Sequence, residues 1–117
     1  MTEAWWSAKW YRRWQRASIQ TRGTMTERVR QDDWEAKGAV VFPISPSYPG
    51  VDLIVFTADM LIVSEVKGQE ATLYGQTKAD ALNKVRAAAH RLLDVGWPAH
   101  HELVHVHPDT GEQEVLS

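Results

Sequence analysis

Residues 49–67, PGVDLIVFTADMLIVSEVK, contain two runs rich in Val, Ile, Leu and Phe, with Ala58-Asp59 between them. Such runs, bounded by turn residues, predict strands over Val51–Thr57 and Leu61–Lys67, joined as a hairpin. With a two-residue loop, Thr57 faces Met60 and every opposed pair of residue numbers sums to 117. Asp52 then lies opposite Glu65, on one face of the sheet, with Cβ atoms about 4.5–5.5 Å apart. Lys67, two residues further, projects from that face as well. A three-residue loop would reverse the parity. The hairpin therefore gathers two carboxylates and an ammonium inside otherwise apolar strands.

Two carboxylates that close cannot both ionise without compensation. A divalent ion resolves the conflict, and carboxylate oxygens are hard ligands suited to Mg²⁺, which commonly takes one or two of them and keeps water. An ammonium beside that water can position it and stabilise developing negative charge. This donor set is equipment for phosphodiester hydrolysis.

Upstream, Pro43, Pro46 and Pro49 predict an irregular loop over residues 43–50, after a short strand at Ala39–Phe42. Further back, Trp6, Trp10 and Trp14 recur at helical spacing, so residues 3–20 read as a helix with Gly23 interrupting. Packing or a subunit contact suits that stripe better than base stacking. Thr24-Met25-Thr26-Glu27 has the form of a capping box, predicting a second helix to about Lys37, with Gly38 as its stop. In that reading Glu27 would bond back to the Thr24 amide. Downstream, Ala79, Leu82, Val85, Ala89, Leu92 and Leu93 mark a helix over about residues 73–95, ended by Gly96 and Pro98. Leu103–His107 and Glu112–Leu116 read as strands. The expected class is mixed α/β, a central sheet flanked by helices, in one domain over 1–117. Residues 1–23 form a basic Trp-rich arm of it and residues 24–117 the core.

Composition narrows the functional classes. At 117 residues and 44% apolar content, the chain can fill a single core. It has no cysteine, which excludes disulfides and thiolate metal sites. No apolar run reaches membrane-spanning length, and the start lacks the apolar stretch of a signal peptide, so the expectation is a cytoplasmic protein without membrane association. The net charge of −2 conceals an asymmetry. Residues 1–30 carry seven Lys/Arg against two Glu, or +5, whereas residues 31–117 carry six against thirteen acids, or −7. A basic arm on an acidic body is a contact for a polyanion, with Arg12, Arg13, Arg16, Arg22 and Arg28 as the candidate phosphate contacts. His105 and His107 share a strand face. With no cysteine and no HExxH helix, a solvated strand is expected there rather than a metal site.

Pro49-Gly50-Val51-Asp52, followed after twelve residues by Glu65-Val66-Lys67, resembles the PD-(D/E)XK nuclease signature. The chain is most similar within that superfamily to the archaeal-type Holliday junction resolvases. The similarity spans about residues 24–107 and includes Glu27-Arg28, Gly38 eleven residues after that Glu, Val40-Val41-Phe42, and a loop with Ser45 and Ser47. Phe42-Pro43 departs from it, standing where the family has a basic residue, and the loop is one residue longer.

The resemblance implies a nuclease-like sheet and a Mg²⁺ site, with Mn²⁺ as a substitute. Asp52, Glu65 and the Val66 carbonyl would be ligands, Glu27 would complete the acidic cluster, and Lys67 would orient the attacking water. Ser45 or Ser47 would meet the scissile strand, and Gln76 matches a helix position occupied in related nucleases. It further implies a homodimer that nicks four-way DNA junctions symmetrically, without an organic cofactor. Another structure-specific nuclease of the flap or replication type, or a catalytically silent DNA-binding module, are the alternatives.

Overall fold

Five strands form one mixed sheet in the order β1-β2-β3-β4-β5. The computed structural model describes residues 8–48, 50–68 and 75–117, apart from the side chains of residues 45–48. Helices α1 (Ala8–Arg16) and α2 (Ile19–Ala36) precede β1 (Val40–Tyr48), β2 (Val51–Phe56) and β3 (Leu61–Lys67). Then follow α3 (Gly75–Asp94), β4 (Ala99–Val106) and β5 (Gln113–Val115). The first three strands are an antiparallel meander, α3 carries the chain over to β4 parallel to β3, and β5 returns antiparallel.

Side-chain alternation along β3 separates two apolar layers. Ile62 and Val66 join Leu53, Val55, Val104 and Val106 under Trp10, Trp14 and Val29 of α1 and α2. Leu61 and Val63 pack instead against Val85 and Ala89 of α3. The sheet is thus covered on both faces, as an α/β-type mixed architecture requires. The expected packing role of Trp10 and Trp14 holds, while Trp6 lies outside the described residues. No described helix is long and apolar enough to cross a membrane.

The hairpin register is the expected one: Phe56, Val55, Ile54 and Leu53 face Leu61, Ile62, Val63 and Ser64. Neither loop residue has a positive φ, so the turn is not the mirror-image type common in two-residue hairpins. The Thr57 hydroxyl closes it, accepting from the Asp59 amide at 3.3 Å and the Met60 amide at 3.1 Å.

Four expectations need correction. The first helix ends at Arg16, not at about residue 20, and Ala17-Ser18 separate it from the next. The second helix starts at Ile19, not Thr24, with Ser18 as N-cap accepting from the Thr21 amide at 3.2 Å. Gly23 therefore lies inside α2, and the Thr24 hydroxyl donates back to the Gln20 carbonyl at 3.2 Å, so no capping box forms. Strand β1 runs through the proline-rich segment to Tyr48 with an irregularity after Pro43, and Tyr48 pairs with Val51. An edge strand tolerates proline because the missing donor faces away from the ladder. Finally, β4 begins at Ala99, four residues earlier than expected. Gly38 and Gly96 do end their helices as expected. In each case the next residue's amide reaches back five residues, Ala39 to Trp34 at 3.1 Å and Trp97 to Leu92 at 3.0 Å.

Candidate functional site

At the end of the hairpin remote from its turn, the ladder stops one pair before Asp52 and Glu65. Asp52 takes up the next position with its side chain, accepting the Val66 amide at 2.8 Å. Both carboxylates are buried, and Glu65 Oε1 holds Lys67 Nζ at 2.7 Å. The other oxygen, Glu65 Oε2, is buried without a hydrogen-bond partner among the described residues. A buried, orphaned carboxylate oxygen is costly, and it marks a place for a cation or water.

Glu27 enters from α2. Because that helix starts at Ile19, Glu27 sits near its middle, facing Asp52, rather than at a capping position. Burial pushes its carboxyl up to about 8, with the Asp52 charge, a hydrogen bond to Asp52 and the Glu65 charge adding to the shift. Lys67 acts in the opposite direction. Glu27 is thereby pushed towards its protonated form, hydrogen-bonded to Asp52. Glu65 is likewise raised, first by burial and then by Asp52, against the pull of Lys67 and Lys84.

Glu27, Asp52, Val66 and Lys67 line a cleft of about 220 Å³ together with Trp14, Arg22 and Thr26, and Glu65 lies behind it. One close approach shapes its wall. A Cβ on Gly68 would fall 2.5 Å from Thr26 Cγ2, so the end of β3 meets α2 where no side chain fits. Outside the cleft lining, Gly50 has φ +73°, and a Cβ there would press on Lys84 Cβ. That contact seats the β1–β2 turn on α3 and explains how Lys84, absent from the sequence reading, comes to act on Glu65.

The remaining expected residues are placed differently. Gln76, in the first turn of α3, donates to Asp80 on its own helix at 2.7 Å and does not line the cleft. The side chains of Ser45 and Ser47 lie outside the described residues. Arg12, Arg13 and Arg16 are exposed on α1. Arg22 is engaged with the end of that helix: its Nε donates to the Trp14 carbonyl at 2.8 Å, and its guanidinium lies 4.5 Å from the Trp14 ring centroid. Arg28 pairs with Asp32 at 2.9 Å.

A second polar cluster escaped sequence reading. Glu102, in β4, accepts from Arg30 Nε at 3.0 Å and its terminal nitrogen at 2.6 Å, from Trp34 Nε1 at 3.1 Å and from the Ser64 hydroxyl at 2.7 Å. Burial alone would raise its carboxyl, but these donors, Arg30 foremost, hold it below the ordinary value. The only available signal was a charged residue amid the apolar pattern of residues 99–106, which by itself names no partner.

No family model and no curated protein matches this chain.

Proposed function

We propose that this chain is a Mg²⁺-dependent endonuclease with a PD-(D/E)XK-like core that cleaves branched DNA, acting as a homodimeric Holliday junction resolvase. The observation that carries the reading is the meeting of Glu27, Asp52 and Lys67, from α2, β2 and β3, around one cleft, with the buried Glu65 holding Lys67 from behind. Asp52 and Glu65 offer the carboxylate pair that Mg²⁺ commonly takes, and the orphaned Glu65 oxygen fits an ion. Glu27 and the Val66 carbonyl would complete that site. When bound, the ion supplies Lewis acidity at the scissile phosphate and offsets the acidity of the body.

The protein's own groups do the rest. Lys67, held by Glu65, presents its ammonium to the attacking water and to the charge that develops on the phosphoryl oxygens. Glu27, its carboxyl raised by burial and by Asp52, hydrogen-bonds Asp52 and would hold a bound cation together with Asp52 and Glu65. Arg22 and Trp14 bring the basic N-terminal region to the mouth of the cleft, while Arg12, Arg13 and Arg16 provide exposed positive charge for flanking phosphates. Phosphate contacts position without encoding sequence, so little base dependence is expected.

One chain has one such cleft, and paired nicks require two. Exposed Val40, Phe42 and Phe56, at the β1 edge, offer an apolar patch for a two-fold contact. The test is cleavage of a labelled immobile four-way junction beside matched linear duplex, with Mg²⁺ or EDTA. Paired symmetric nicks on the junction alone, lost in Glu65→Gln, support the reading. Equal cutting of both substrates removes the resolvase assignment and keeps the nuclease. Junction binding without any cutting points to a silent module.

A further inference from the structure

The sequence reading of His105 and His107 as a solvated strand does not survive the structure. His105 is 4% exposed, His107 is half-buried, and the two ring centroids are 3.9 Å apart. The reason is architectural. His105 in β4 and His107 just past its end alternate onto one face, and Glu114, directly opposite His105 in the β4–β5 ladder, projects from that same face. His107 Nε2 lies 3.4 Å from Glu114 Oε2. One donor atom from each of the three residues falls within 4.8 Å of the other two.

We infer that His105, His107 and Glu114 form a transition-metal site with its own ligands beside the carboxylate cleft, the two clefts sharing Trp14 and Gly68. Two imidazoles, which are borderline donors, with one hard carboxylate suit Zn²⁺, Co²⁺ or Ni²⁺ and are poorly matched to Mg²⁺, which prefers oxygen alone. The two sites would therefore sort ions by ligand chemistry. Three protein ligands leave a coordination position open, and the adjoining cleft of about 280 Å³, lined by both histidines with Tyr11, Trp14, Pro108 and Asp109, has room for water there. The ion would bridge β4 to a strand of three residues at the sheet edge. It thus serves as a clip for β5, and the inference stands whether or not the chain is a nuclease.

The experiment uses the full chain, stripped with chelator and dialysed into excess Mg²⁺ to fill oxygen sites. Co²⁺ is then titrated and its visible absorption followed, with Zn²⁺ added to displace it. One Co²⁺ per chain is expected, with a spectrum of nitrogen and oxygen coordination. His107→Gln and Glu114→Gln, both at accessible positions, should each weaken binding at least tenfold, and Glu65→Gln should leave it unchanged. Absence of Co²⁺ binding, affinity indifferent to both substitutions, or loss in Glu65→Gln would each overturn the site.

Discussion

Lys67 Nζ sits 2.7 Å from one oxygen of Glu65, while the other oxygen of that carboxylate is buried without a partner among the described residues. A single side chain thus holds the ammonium and keeps a coordination position available. Lys67→Met should lower junction cleavage by about 10²–10³-fold, the usual cost of losing one donor to developing charge. Junction affinity, measured with Ca²⁺ in place of Mg²⁺, should remain within about threefold. A parallel loss of affinity would make Lys67 a binding group instead.

Glu27 and Glu65 both hold protons above the range of a free carboxyl, Glu27 up to about 8. Below about pH 4.5 they are protonated folded or unfolded, so they are neutral to stability. As pH rises from there towards 8, the unfolded chain releases these protons first, and folding is progressively disfavoured. Without divalent ions, melting temperature should fall across that window. Mg²⁺ should raise it more at pH 8.5 than at pH 6, and Glu27→Gln should reduce the difference. Calorimetry at the two pH values, with and without Mg²⁺, decides this.

The Glu102 carboxylate is linked to pH in the opposite sense. Its depressed value contributes stability that is present above about pH 4.5 and is lost as pH falls through its folded value. Glu102→Gln removes the closer counter-charge of the buried Arg30 guanidinium and leaves only Asp33, at 3.4 Å. The expected cost is about 3–5 kcal/mol, read from urea unfolding at pH 7. A change below about 1 kcal/mol would mean that Asp33 and Gln113, which also accept from Arg30, suffice to hold it.

Gly23 is an unforced glycine within a helix. It has no positive φ, and a Cβ there would meet nothing within 4 Å. Gly23→Ala should stabilise the fold by about 0.5–1 kcal/mol through helix propensity and reduced unfolded-state freedom. Thermal melts test it. Since Gly23 lines the cleft, unchanged cleavage in this variant would show that substrate does not press on that turn of α2.

The hairpin was legible because its register depends on local loop length and on strand alternation, both written in residues 51–67. Helix α2 was misread because Thr24-x-x-Glu27 imitates a start signal. The true start, Ser18, has the same side-chain oxygen but no glutamate three residues later to advertise it. That error set Glu27 against its own expected role, since a capping glutamate could not also face Asp52. The Arg30–Glu102 pair was invisible for another reason. Its members are 72 residues apart, and only the packing of α2 over β4 brings them together. The prolines of β1 argued against a strand on intrinsic grounds, and sheet position overrode them.

β3 is the middle strand of the five, hydrogen-bonded to β2 on one side and β4 on the other. The carboxylate and ammonium at its end are therefore mounted on the part of the chain with least freedom to open locally. Amide hydrogen exchange along residues 61–66 should proceed only through global unfolding, whereas β5, paired on one side alone, should exchange through fraying. Any adjustment of the cleft would then come from its helical side, where α1 and α2 meet at Ala17-Ser18 and α2 carries Glu27, while Glu65 and Lys67 stay fixed on β3.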